Sequence, residues 1–329
     1  MVKLKLFDSL DAAAAGGADR LDREHGTDLF RRLDWFRLVA EHTPPARVAI
    51  LRAETGDASA WLFLGVEGRA ARALGNWYTL DFGPVFVGAD ERQRGALLPA
   101  LARGLRRVGA ARVELDPLAD ARALGNAMRR AGWLARPGSG SVRWVMPSRG
   151  LSFDAYWAAR PGQLRSTAAR KGKSAKLDMS ILSHFDAEAW NDYEQVYAGS
   201  WKPEEGSTAF LRALAQQEGA AGTLRLGIAR KDGRPVAAQL WLTEFGRATI
   251  HKLAYVADAR PLSPGTLLGM AMFRHALDID RVDTIDFGLG DDAYKRDWID
   301  GSEPVERLVA FDLLRPAGMA ALVRRLARR

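Results

Sequence analysis

Asp232-Gly233 separates two apolar, alternating runs, TLRLGIAR and VAAQLWLTEF. An Asp-Gly pair in that setting selects a two-residue turn with positive φ at both central positions, and so forces an antiparallel hairpin. A second reversal at Glu244–Gly246 leads into RATIHKLAYV. This three-stranded meander is the firmest local structure in the chain. Helix-like and strand-like stretches alternate around it, which makes the fold mixed α/β.

Both halves repeat the same order of elements. In the first, TDLFRRLDWFRLVAEHT carries apolar residues at helical spacing, and strands follow at RVAILRA, SAWLFLGV and RALGNWYTLDF. ERQRGALLPALARGLRRVG is an amphipathic helix, ARVELDP a strand and LADARALGNAMRRAG a helix. GWLARP and VRWVMP are expected to form a hairpin across GSGS. After Gly150, FDAYWAARPG and QLRSTAARKGK are helical, and helices over 187–199 and 207–219 precede the meander. A helix over 265–280 and the strand VDTIDFG follow it. The expected domains are 1–150 and 151–329. The halves share element order, not residues.

Cysteine is absent, which excludes disulfides, thiolate zinc sites and a cysteine nucleophile. The five histidines are scattered, with no pair at metal spacing, so no metal is expected. No apolar run approaches the roughly 20 residues of a membrane span. The start, MVKLKLFDSLD, reads as a strand rather than a signal peptide, so the expected location is the cytoplasm. The net charge of +8 points to an acidic partner: nucleic acid, anionic lipid or a phosphate-rich cofactor. No Walker A loop and no G-x-S-x-G elbow occur.

Two stretches are able to carry chemistry. In ARPLSPGTLLGMAMF, Ser263 suits an N-cap and Pro264 the first helical position, so Gly265 and Thr266 open a helix just after a strand. The dipole and free N–H groups of such a helix suit a phosphate, with Arg260 adding charge. In DFGLGDDAYKRDW, Gly288 and Gly290 allow a sharp turn at a strand's C-terminal end, where open α/β sheets place their sites. Its formal match to G-x-G-x-x-A is rejected as a dinucleotide fingerprint, because no second βαβ unit follows. Asp291, Asp292, Tyr294 and Lys295 cluster there, with Asp286 on the preceding strand. His251 and Lys252 alternate across a strand and point to opposite faces, so one of them either faces the site or has a cross-strand structural role. The basic run RSTAARKGKSAK suits contact with phosphate or RNA backbone, or a solvated helix end.

A meander, an SPG loop, a helix and a strand in that order resemble the GNAT acyltransferase fold. Arg260, Ser263 and Gly265 stand at the positions of its Q/R-x-x-G-x-G/A pyrophosphate loop, with Ser263 replacing the first glycine. The chain is similar, more specifically, to the CelD-like (cellulose-biosynthesis) acetyltransferases, relatives of the FemAB transferases with two tandem GNAT halves. DWF, YTLDFGPVF, YWAARPGQLRSTAARKGKS and DFGLGDDAYKRDW carry that similarity along most of the chain.

The resemblance implies a degenerate N-terminal GNAT-like domain and a C-terminal acyltransferase domain, with mostly antiparallel sheets flanked by helices. It implies an acyl-CoA donor, acetyl-CoA first, held by Arg260, Ser263, Pro264, Gly265 and Thr266. Asp291 or Asp292 would be the general base, Tyr294 the proton donor to the thiolate, and Lys295 the oxyanion partner or a brace for the aspartates. Asp286 and Lys252 would touch substrate. The acceptor would be an amine or hydroxyl of an envelope sugar, polysaccharide precursor or lipid, reached from the cytoplasm or from the inner-membrane surface. An acyl carrier protein is a further expected partner. The alternatives are a FemAB-like transferase using aminoacyl-tRNA and a non-catalytic scaffold for polysaccharide synthesis.

Overall fold

The computed structural model describes residues 2–327. Two compact units divide the chain: one runs to Ser141 and resumes at Pro304, and the other spans Val142–Glu303. The boundary expected at 150 therefore falls earlier, and the last stretch of chain returns to the first unit. The cause lies in GSGS. Instead of turning, it sits inside one 15-residue strand, Trp133–Pro147. A Cβ at Gly140 would lie 3.1 Å from the Val305 carbonyl oxygen, so this glycine serves close approach of a neighbouring backbone rather than reversal.

In chain order the first unit contains β1 (Lys3–Phe7), α1 (Leu10–Ala15), α2 (Leu33–His42), β2 (Arg47–Thr55), β3 (Ala58–Glu67), β4 (Ala70–Ala73), β5 (Val85–Val87), α3 (Glu91–Gly104), β6 (Arg112–Leu118) and α4 (Arg122–Arg130). Strand β7 is Trp133–Pro147. The second unit continues with α5 (Phe153–Ala158), α6 (Gly162–Ser174), β8 (Asp178–Leu182), α7 (Ala187–Ala198), α8 (Thr208–Ala220), β9 (Leu224–Lys231), β10 (Arg234–Glu244), β11 (Arg247–Tyr255), α9 (Pro264–Arg274) and β12 (Thr284–Leu289). The chain then forms β13 (Ser302–Asp312) and α10 (Pro316–Leu326).

Each unit is a mixed, mostly antiparallel sheet flanked by helices. In the first the order is β1-β2-β3-β4-β6-β13, with β5 paired to β3. In the second it is β7-β12-β11-β10-β9-β8. One parallel junction recurs in both. β4 pairs with β6 over Ala70–Arg72 and Arg112–Glu114. β11 pairs with β12 over Arg247–Thr249 and Thr284–Asp286. In each case a helix connects the two strands, as a parallel pair requires.

The expected helix over 27–43 is shortened to α2, because Arg32 takes extended backbone between a 3-10 turn and the helix. RALGNWYTLDF forms only β4 and an isolated bridge at Phe82. The cores are aromatic. Phe36 stacks on Phe63 in the first unit, and Tyr156 and Trp298 stack on Phe273 in the second. Burying each such ring contributes roughly 1.5–3 kcal/mol.

Candidate active site

The candidate site lies where β11 and β12 part. The two strands pair over only three residues, while β11 runs on to Tyr255 against β10. Past Thr249, no residue of β12 pairs with β11, and an edge of that kind is where an extended ligand can add as a strand. A bulge sits at this point. Ile250 pairs with Trp241 and Lys252 with Leu240, which leaves His251 as the extra residue. Strict alternation of His251 and Lys252, expected from strand periodicity, is broken there. His251 is buried, and burial, aided by Lys252, pushes its imidazole down to about 3, so it is neutral near pH 7.

The turn after β12 supplies the second part of the candidate site. Gly288 and Gly290 take φ of 68° and 102°, which L side chains resist. Lys295 is 4% exposed, and its Nζ donates to the carbonyl oxygens of Leu289 at 2.5 Å and Gly290 at 3.3 Å. Trp144 Nε1 also donates to Gly290 O, at 3.1 Å. Lys295 thus clamps the turn. Burial lowers its ammonium below the usual range, and Asp292, 3.7 Å away, opposes that shift. Asp291 is exposed and pairs with Arg296 at 3.0 Å. Tyr294 lies edge-on to Phe287, and burial followed by the Asp292 charge pushes its phenol up.

Asp286, expected to touch substrate, already has its partners within the protein. It is fully buried, accepts from Arg143 Nε at 2.8 Å and Arg247 Nη1 at 3.2 Å, and accepts the Gly288 N–H at 3.0 Å. Its position on an inward face of β12, between two arginines, makes it a structural anchor for the turn.

A loop that sequence reading passed over completes the site. Between α7 and α8, Ser200 donates to Tyr197 O at 2.7 Å and bridges to Val256, which ties residues 200–207 to the end of β11. From this loop Glu205 reaches Lys252 Nζ at 2.8 Å, with side chains 7% and 10% exposed. Tyr197 also hydrogen-bonds Glu205, and burial, with that carboxylate, pushes its phenol up to about 12. Lys202 on the same loop is pushed down to about 8, by burial first and then by Lys252, with Asp292 opposing and Lys295 adding to the shift. Lys202, Lys252 and Lys295 therefore lie near enough to act on one another, with Glu205 and Asp292 among them. Scarcity was the available signal: Lys202 is one of only nine lysines in the chain.

The SPG loop lies at the open end of β11. Pro264 begins α9, and a Cβ on Gly265 would come within 3.1 Å of the Tyr255 ring. Ser263 occupies the N-cap with φ of 53°, but its side chain makes no capping bond. The free N–H groups expected here are mostly committed. Ser263 N donates to Arg260 O, and Thr266 N and Leu267 N both donate to Ser263 O. Proline has none to give. A phosphate at this helix would meet the Gly265 N–H and the exposed Arg260. Next to it, Ala168 and Ala175 pack on Leu267, with Leu262 joining them, so the basic α6 lies against the start of α9. Arg170, Lys173 and Lys176 on and just after α6 are exposed.

Residues 158–296 match the family model of the acetyltransferase (GNAT) domain. That stretch contains both the SPG loop and the DDAYK turn. Among solved structures, FemX superposes with a TM-score of 0.63 at 11% identity, over 94% of this chain and 97% of its own. A second is the C-terminal domain (DUF2156) of a protein designated a lysylphosphatidylglycerol synthetase, from Agrobacterium fabrum. It gives 0.54 at 18% identity, over 80% of this chain and 83% of its own. A tandem GNAT protein from the clavulanic acid biosynthesis pathway gives 0.50 at 15% identity, over 94% and 98%. At these identities the likeness is one of fold: tandem GNAT-like units. No curated protein matches the chain in sequence. No group of acidic or histidine side chains able to hold a metal occurs among the described residues.

Proposed function

We propose that the second unit transfers an acyl group from acyl-CoA, acetyl-CoA first, to an amine or hydroxyl of a cell-envelope sugar, polysaccharide precursor or lipid. The observation that carries this reading is the gap where β11 and β12 part, flanked by Lys202, Lys252, Glu205, Asp292 and the Lys295 clamp. The pantetheine arm would lie along the free edge of β11, with its phosphates at Arg260, Ser263, Pro264, Gly265 and Thr266. This would bring the thioester to the turn beyond β12.

The chemistry then follows from charge. Asp292 takes the proton of the acceptor N–H or O–H as the lone pair attacks the carbonyl carbon. Protonated Lys202 balances the tetrahedral oxyanion. As the oxyanion collapses, the C–S bond breaks and Tyr294, which burial keeps protonated, gives its proton to the leaving thiolate. Lys295 shapes the turn and sets the position of Asp292. The first unit is read as a degenerate copy. Its equivalent helix, α3, is capped by Asp90 in a reciprocal box with Gln93, so a carboxylate already fills the place a phosphate would need.

The CelD-like resemblance belongs with this reading. A FemAB-like transfer from aminoacyl-tRNA is the second reading, favoured by two observations: the committed N–H groups of the SPG loop and the basic α6 beside it. The similarity to a lysylphosphatidylglycerol synthetase, a name that denotes an aminoacylated lipid product, fits the same alternative. The absence of cysteine provides a direct test, because a thiol reagent then reports only released CoA. Acceptor-dependent thiol release by the wild type, lost in Asp292→Asn, is expected. No release with any acyl-CoA and acceptor would remove the reading.

A further inference from the structure

Helix α10 presents a bare apolar face. Ala317, Gly318, Ala321 and Leu322 turn inward or are half-buried, while Pro316, Met319, Ala320, Val323, Leu326 and Ala327 are exposed. On a helical wheel these six share one side, with the exposed Arg315 and Arg324 at its two edges. Leu314, just before the helix, is 70% exposed, and Val323 is 62% exposed. An apolar stripe of this kind on a helix is costly to leave in water.

A cavity of about 500 Å³ lies beneath the same helix, lined by Arg69, Arg112, Arg307, Arg324 and Arg325 with Phe311 and the single acid Glu67. Glu114 pairs with Arg112 and Arg307, so two carboxylates face five guanidinium groups. Arg69 and Arg324 have no ion pair among the described residues. The guanidinium of Arg307 is lowered by burial and then by Arg325, Arg112 and Arg72, a sign of mutual repulsion within the cluster. From Leu313 to Arg329 the sequence contains five arginines and no acidic residue.

We propose that α10 docks the first unit on an anionic phospholipid surface, with its apolar face in the acyl boundary and a lipid phosphate in the arginine-lined cavity. An exposed apolar stripe rimmed by arginine is the pattern of a helix lying in a membrane interface. A second copy of the chain is a poor occupant, because a two-fold contact would bring two such arginine clusters together. A nucleic acid would use the arginines but has no use for Met319, Val323 and Leu326. This inference stands apart from the choice of acyl donor.

The test is sedimentation of the full chain with vesicles of phosphatidylcholine alone or mixed equally with phosphatidylglycerol. Wild type should bind the mixed vesicles at least tenfold more than the neutral ones, and less as salt rises. Met319→Asp/Val323→Asp and Arg69→Ala/Arg324→Ala should each lose tenfold or more on mixed vesicles while melting at the wild-type temperature. All four side chains are exposed, so folding should survive. Trp77→Ala, which removes an 84%-exposed tryptophan elsewhere in the unit, should change binding less than twofold. Equal binding to neutral vesicles, or unchanged binding by the aspartate pair, would overturn the proposal. So would a dimer in sedimentation velocity that the aspartate pair dissolves, or an arginine pair that loses tRNA binding and keeps its vesicles.

Discussion

Lys252 Nζ lies 2.8 Å from Glu205 Oε1, and both side chains are almost fully withdrawn from water. The pair fastens the loop over residues 200–207 to β11 beside the gap. Breaking a buried pair leaves the surviving charge unpaired, which costs about 3–5 kcal/mol. Glu205→Ala should therefore lower unfolding free energy by about 3 kcal/mol and abolish transfer, as read by urea denaturation and thiol release. A change below about 0.5 kcal/mol would mean that the loop is not held this way.

Lys202 should give the alkaline limb of the rate profile. Its ammonium is pushed down to about 8, and the mechanism uses the charged form, so kcat/KM should fall as pH rises through that value. Lys202→Arg should move the limb upward. Stability runs the other way. Between about pH 8 and the ordinary lysine range the unfolded chain binds the extra proton, so the Lys202 contribution makes the fold more stable as pH rises. An identical alkaline limb in Lys202→Arg would rule out this residue as the oxyanion partner.

Asp286→Ala should be a folding defect, not a catalytic one. It strips Arg143 and Arg247 of a shared, fully buried carboxylate, which costs about 3–5 kcal/mol. Folded protein recovered in wild-type yield and with wild-type stability would contradict the anchoring role.

Lys295→Ala should destabilise as well as inactivate. The substitution takes the Lys295 donor from the Leu289 carbonyl and leaves the Gly290 carbonyl to Trp144, for about 1–3 kcal/mol. Lys295→Arg, which retains the charge but not the fit, should recover part of the stability in thermal melts. A Lys295→Ala protein as stable as the wild type would return this side chain to a purely chemical role.

What could be read from sequence divides along the range of the forces involved. The Asp232-Gly233 turn is a local steric demand, so the meander was legible, and so was the strand-to-helix step at Pro264. GSGS was misread because glycine permits both a reversal and close packing, and only the neighbouring Val305 backbone decides between them. The DDAYK turn was legible as a sharp reversal after a strand, but not the place of Lys295, because the carbonyls it clamps appear only once Gly288 and Gly290 have turned. Glu205 and Lys252 are 47 residues apart, and Asp286 and Arg143 are 143 apart. No periodicity reports such partners. The N–H groups of the SPG loop looked free in sequence, and local backbone bonds consume most of them.

The central claim is that the gap beside β11 holds an acyl-CoA donor with its phosphates at the start of α9. Calorimetric titration of the full chain with acetyl-CoA, a long-chain acyl-CoA, dephospho-CoA and total tRNA tests it most directly, repeated with Gly265→Glu. Micromolar binding of one CoA species, weakened at least tenfold in Gly265→Glu, is the expected result. Silence with every CoA, together with salt-sensitive binding of tRNA, would contradict it and leave the aminoacyl-transfer reading in its place.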